Sequence, residues 1–90
     1  MSIEKNEGLR TQLDANYDWP SVYMFKFIMP NDAKKTKDLL ALFSGTTEVN
    51  RKFSKAAKYV SFTVKEVMIS SEAVLDRYEQ VSKIDGVIPL

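Results

Sequence analysis

Apolar and β-branched side chains crowd into residues 21–29, where no helical period can be read and most residues favour a pleated strand. Tyr23, Phe25, Phe27 and Met29 fall on one face, and Val22, Met24 and Ile28 with Lys26 on the other. Apolar residues on both faces predict a central strand. Pro30-Asn31-Asp32 ends it and supplies a helix cap, after which Ala33, Thr36, Leu39, Leu40 and Phe43 recur at helical spacing as far as Gly45. Residues 46–54 alternate Val49, Arg51 and Phe53 against Glu48, Asn50 and Lys52, the half-polar pattern of an edge strand, with Phe53 expected in the core. A short connection, residues 55–58, leads to a third strand over 59–67, with Val60, Phe62 and Val64 on one face and Tyr59, Ser61, Thr63 and Lys65 on the other.

Ser70 suits a helix N-cap, and Ile69 stands where it can staple against Val74. Val74, Leu75, Tyr78 and Val81 then form a buried stripe, leaving Glu72, Asp76, Arg77, Glu79, Gln80 and Lys83 to face outward. Asp85-Gly86 turns the chain into a final short strand, 87–90, whose Pro89 marks an edge. Ahead of all this, residues 1–17 form an N-terminal tail or short helix, with Leu9, Leu13 and Tyr17 on one side. Asp18-Trp19-Pro20 punctuates the chain, and Trp19 is expected to plug one end of the core. The domain proper is 18–90. Strand, helix, strand, strand, helix, strand predicts an α+β, ferredoxin-like βαββαβ fold: a four-stranded antiparallel sheet with two helices on one face. In the usual order of that fold, strands one and three are central neighbours, which puts Lys26 near Ser61 and Thr63 on the uncovered face.

Composition narrows the chemistry. Ninety residues, 44% apolar and 28% charged, make one globular domain with a small core. No apolar run approaches the ~20 residues that cross a bilayer, and the start Met1-Ser2-Ile3-Glu4-Lys5 lacks the apolar stretch of a secretion signal, which predicts a cytoplasmic protein away from the membrane. Without Cys or His there are no disulfides, thiolate nucleophiles, imidazole bases or usual zinc sets. The acids are placed on helix exteriors among polar neighbours, where no pKa tuning is expected. No catalytic residue, metal site or cofactor is therefore predicted, and the chain reads as a non-enzyme. The net charge of +1 hides a division: residues 21–69 carry nine bases and four acids, while each flanking segment carries two bases and four acids.

Four pieces carry a family resemblance: Trp19-Pro20 leading into Met24-Phe25-Lys26-Phe27; Ser54 before Lys58-Tyr59-Val60-Ser61-Phe62-Thr63-Val64; Ser71-Glu72 before Arg77-Tyr78-Glu79; and Ile84-Asp85-Gly86-Val87. Over residues 18–90 the chain resembles the YbeD-like family of uncharacterised bacterial proteins, a domain of unknown function. The resemblance implies a ferredoxin-like, ACT-like stand-alone domain, similar to metabolic regulatory domains and without an assigned activity. The family often has Gly just before the Lys-Tyr pair, where this chain has Ala56-Ala57, and Phe is more usual where Trp19 stands.

Three surfaces are candidates. Met24, Lys26, Ile28, Tyr59, Ser61 and Thr63 make an open-face set for a partner or a second copy, since apolar residues on an uncovered sheet usually have one; the alternative is partial cover by the N-terminal segment through Leu9 and Leu13. Asn31 with Lys34, Lys35 and Lys37 marks a possible anion site at a helix start, suited to a small anionic metabolite, against the plainer reading of a solvated lysine face partnered by Asp32 and Asp38. Arg51, Lys52, Lys55 and Lys58 form a basic hairpin patch. An RNA-recognition module shares this fold order, but such modules stack bases on aromatics of the central strands, and here the open face offers only Tyr59. Ferredoxin-like acylphosphatases hold phosphate with an Arg in the loop after strand one, and the loop Pro30-Asn31-Asp32-Ala33 has none. The leading expectation is thus a regulatory or protein-interaction module, with a small metabolite as a candidate ligand and a nucleic-acid-binding domain as the alternative.

Overall fold

The structure, a computed structural model, describes residues 3–43 and 47–90, with the side chains of the first helix described from Glu7 onward. Its elements are α1 (Ile3–Asn16), β1 (Ser21–Pro30), α2 (Ala33–Leu40), β2 (Glu48–Phe53), β3 (Tyr59–Met68), α3 (Ser71–Ser82) and β4 (Ile88–Pro89), with a single 3-10 turn at Lys55–Ala57. The four strands form one antiparallel sheet in the order β2-β3-β1-β4, with β1 and β3 at its centre. This is the ferredoxin-like arrangement that the hydrophobic pattern predicts. The expected helix stop at Gly45 and the expected start of β2 at Thr46 lie outside the described residues.

Local chemistry sets the element ends. The Asp32 carboxylate accepts the Lys35 amide at 2.9 Å and caps α2, and the Ser70 hydroxyl accepts the Ala73 amide at 3.1 Å and caps α3. Each cap satisfies an amide that the first helical turn leaves without an intrahelical partner. The staple expected from Ile69 is not built; Ile69 stands in solvent. Gly86 takes φ +85° in the turn before β4, and a Cβ there would lie 3.3 Å from the Pro30 ring, so the turn needs glycine twice over. The Trp19–Pro20 peptide is cis.

The strand period of two then sorts the side chains. Phe25, Phe27 and Met29 from β1 and Val60, Phe62, Val64 and Met68 from β3 are buried against the helices, joined by Leu39, Phe43, Val74, Leu75 and Val81. Each such side chain contributes roughly 1.5–3 kcal/mol by leaving water, which makes this layer the main source of stability. Leu13 of α1 joins the same core, and Arg10 of α1 pairs with Glu72 of α3 at 3.3 Å. The first helix therefore packs on the helical side of the sheet and not over its open face. Trp19 is half-buried, stacked on Tyr17 with ring centroids 5.2 Å apart, and its indole N–H donates to Asp14 at 3.0 Å.

Two further side chains depart from the sequence reading. Phe53, expected in the core, is 49% exposed: it is the last residue of β2, an edge strand. Arg77, expected in solvent, is turned inward: its guanidinium lies 4.7 Å from the Phe43 ring centroid and 5.9 Å from that of Phe25.

Candidate functional site

The antiparallel register of the two central strands assembles the open face. Lys26 stands opposite Thr63, Ile28 opposite Ser61, Met24 opposite Lys65 and Val22 opposite Val67, while Ile88 of β4 lies opposite Ile28. Since residues of equal parity share a face of a strand, these side chains form one surface, extended on the β2 side by Glu48, Asn50 and Lys52. The predicted set Met24, Lys26, Ile28, Tyr59, Ser61 and Thr63 is thus brought together on one side of the sheet. Around it lie apolar neighbours that the sequence reading left out: Val22 and Val67 at one end and Ile88 at the other are 56%, 62% and 58% exposed. Of the described charged residues that the register places on this surface, Lys26, Lys52 and Lys65 are basic and Glu48 is acidic. A shallow depression of about 210 Å³ opens where Ile28, Ser61 and Tyr59 meet Lys52 and Ser54.

The basic hairpin residues divide between surfaces. Lys52 belongs to the open face and Lys55 and Lys58 to the hairpin tip, but Arg51 has the opposite parity and lies over the Phe62 ring on the helical side, 5.5 Å from its centroid. At the start of α2, the Asp32 carboxylate already occupies the Lys35 amide, and Asn31 is tied to the hairpin, its side-chain amide donating to the Ala57 carbonyl at 2.9 Å and its backbone amide to that of Lys58 at 2.9 Å. Lys34 reaches Asp38 at 4.0 Å, both well exposed, Lys37 is in solvent, and Lys35 is half-buried near Gly86. Asn31 and the three lysines therefore surround a helix start that an acid caps.

A further polar group lies within the core. Glu66 continues the inward-facing series Val60, Phe62, Val64, and its carboxylate lies 2.7 Å from Arg77 Nη1, with side-chain exposures of 11% and 18%. The Thr47 hydroxyl donates to the other carboxylate oxygen at 2.6 Å. Beside it, the hydroxyls of Tyr23 and Tyr78 share a hydrogen bond of 2.9 Å. Burial first, and then the bond to Tyr23, push the Tyr78 hydroxyl above its ordinary value, so it stays a neutral phenol. The expectation that acids sit only on helix exteriors thus fails at Glu66. The signal was present: an acid at a core-facing strand position requires a cation across from it. Among the described residues, no cluster of three metal-ligating acids occurs.

The model of a family described as protein of unknown function, DUF493, matches residues 14–89. The chain belongs to the DUF493 family. This is the YbeD-like family that the sequence motifs resemble. The match takes in the whole sheet with α2 and α3, and it begins near the end of α1, so most of that helix precedes the shared region. The solution structure of protein HP0495 from H. pylori is similar to this DUF493 chain with a TM-score of 0.65 at 25% identity, over 82% of this chain and 85% of that one. A second solution structure, of hypothetical protein HP0495 from Helicobacter pylori, gives 0.59 at 24% identity over 80% and 87%. Among curated proteins no match is found. Among the described residues, no helix is long and apolar enough to cross a membrane.

Proposed function

We propose that this DUF493 protein is a cytoplasmic, non-enzymatic module of the ACT-like regulatory type, which works by holding another protein on its open sheet face. The observation that carries this reading is the surface itself: Val22, Met24, Val67 and Ile88 remain exposed together on one face while α1 packs on the other side. Grouped exposed apolar residues are the usual mark of an interaction surface. Charge selects the kind of partner. Lys26, Lys52 and Lys65 interrupt the apolar residues with a basic excess, which complements a partner surface bearing carboxylates among apolar side chains. A second copy docked face to face would meet the same lysines, and RNA would find a single stacking ring in Tyr59. Tyr78, held neutral, offers no general base at physiological pH.

The test is amide NMR of the labelled protein with defined probes. A capped peptide alternating glutamate and leucine is expected to give saturable shifts at Met24, Lys26, Ile28, Thr63 and Lys65, lost in the Lys26→Glu, Lys65→Glu double variant. Larger, steeply salt-dependent shifts at residues 52–59 with oligouridine would replace the reading by nucleic-acid binding. Shifts that grow with protein concentration alone would replace it by self-association. Thermal stabilisation by small organic acids or phosphates, with no response to the peptide, would replace it by metabolite binding.

A further inference from the structure

One edge of the sheet is formed by an internal strand. β2 lies at the end of the order β2-β3-β1-β4 and runs on into described residues on both sides, Thr47 before it and the 3-10 turn after it. Its pairing with β3 is unbroken over all six residues, without a bulge or a proline. The Ser54 amide donates to the Tyr59 carbonyl at 2.9 Å, and in an antiparallel ladder successive residues turn their N–H and C=O alternately to one side and the other. Glu48, Asn50 and Lys52 therefore turn theirs to β3, and Val49, Arg51 and Phe53 turn theirs outward. The Asn31 amide donating to the Lys58 carbonyl at 2.9 Å gives the same parity from the far side of β3, since it turns Val60, Phe62 and Val64 to β1 and leaves Ser61, Thr63 and Lys65 for β2. No described residue pairs with the outward groups of Val49, Arg51 and Phe53. Such a row is the template on which a strand is added.

Side chains decide which strand this edge accepts. Five of the six on β2 are exposed, and they include two cations in succession, Arg51 toward the helical side and Lys52 toward the open face. Neither is paired with an acid among the described residues: Arg51 stands opposite Phe62 and Lys52 opposite Ser61, while Glu48 already faces Lys65. Charge on an edge guards it against a neutral strand, and like charges directly opposite each other destabilise a pair. A second copy of β2 does not meet both cations. The antiparallel register centred on Arg51 opposes two guanidinium groups, and the one centred on Asn50 sets Glu48 against Lys52 but leaves Arg51 against Val49. A strand with adjacent acids, one turned to each face, meets both.

We propose that the free edge of β2 is a second docking site, which takes an extended acidic segment of another protein as an added antiparallel strand. That segment carries two successive carboxylates opposite Lys52 and Arg51, β-branched apolar residues opposite Phe53 and Val49, and an uncharged residue opposite Glu48. Backbone hydrogen bonds to Val49, Arg51 and Phe53 hold it, and the two cations set its register and exclude basic strands. The site adjoins the open face at Lys52 but uses backbone groups at the sheet edge, so it stands independently of the partner proposed for that face.

A capped hexapeptide, Val-Glu-Glu-Thr-Val-Thr, tests this on the full chain by amide solvent exchange read by NMR. At saturating peptide, exchange at Val49, Arg51 and Phe53 is expected to slow about tenfold or more, with Asn50 and Lys52, already bonded to β3, changing least. The same peptide N-methylated at its third and fifth residues, whose amides would face β2, is expected to lose the effect. Lys52→Glu, a change at an exposed position outside the core, is expected to weaken binding about fivefold or more, and the peptide Val-Lys-Glu-Thr-Val-Thr is expected to restore it in that variant. The proposal is overturned if the first peptide gives no saturable effect, if the slowing falls on Met24, Lys26 and Ile28 instead, or if Val-Lys-Lys-Thr-Val-Thr binds the wild type as well. It is likewise overturned if the N-methylated peptide binds as well, or if Val49 and Arg51 become protected with rising protein concentration and no peptide.

Discussion

A single buried ion pair is the feature of this chain most easily misread one residue at a time. Arg77 occupies an outward slot on a helical wheel, yet it is drawn inward by Glu66 on β3 and covered by the rings of Phe43 and Phe25. Its charge has a partner and its planar face has an aromatic neighbour, the two conditions under which a guanidinium is tolerated out of water. Removing it leaves a carboxylate with 11% exposure and only part of its support. Arg77→Met keeps most of the aliphatic volume but is expected to cost roughly 2–4 kcal/mol in urea unfolding, because breaking a buried pair strands the remaining charge. Adding Glu66→Gln to that variant should recover a good part of the loss, since a neutral amide is cheaper to bury. If the double variant were as unstable as the single one, packing and not charge would be what Arg77 supplies. None of this is visible in the local pattern around Arg77, whereas Glu66 was legible as an acid in an otherwise apolar inward-facing series.

At the level of elements, sequence legibility follows the source of each element's stability. β1, β3, α2 and α3 were readable because their periods and caps are local: alternation in the strands, and Asp32 and Ser70 at the helix starts. α1 was readable only as a tail or short helix, because its place is decided by distant partners, Leu13 in the core and Arg10 on Glu72. The hairpin between β2 and β3 is the other case. Ala56 and Ala57 both take left-handed backbone conformations, φ +68° and +54°, just before the Lys58-Tyr59 pair. The turn is held by the Ser54 hydroxyl accepting the Tyr59 amide at 2.9 Å, the Ser54 amide donating to the Tyr59 carbonyl at 2.9 Å and the Asn31 side chain reaching the Ala57 carbonyl. An alanine in that region costs about 1–2 kcal/mol, while glycine costs about 0.4–1 kcal/mol more in unfolded-state freedom. Ala56→Gly and Ala57→Gly should therefore each raise unfolding stability by roughly 0.5–1 kcal/mol, measured by chemical denaturation. A loss in either variant would mean that the methyl group makes a contact outweighing its backbone cost.

The whole molecule is a two-sided object: aromatic core and helices on one side of the sheet, and on the other an apolar surface crossed by lysines. The open face could be foreseen because strand order and parity alone fix which residues share it. The place of α1 could not, since it depends on Leu13 reaching the core and Arg10 reaching Glu72. The lysines of the open face give the molecule a testable collective property. A two-fold dimer through that face would bring each patch against its own image, so Lys26, Lys52 and Lys65 of one copy would crowd the same cations of the other as water leaves. The apolar residues Val22, Met24, Val67 and Ile88 drive such an association and the lysines oppose it. Lys26→Met with Lys65→Met removes the opposition while adding apolar surface, and should strengthen self-association by about tenfold or more, equivalent to ~1.4 kcal/mol. Sedimentation velocity over a range of concentrations and salt reads this directly. The wild type should associate more at high salt, where screening weakens the repulsion, and the double variant should lose that salt dependence. A wild-type dimer that weakens in salt or in the double variant would mean that the lysines hold two copies together, and that the natural occupant of the open face is a second copy of the chain.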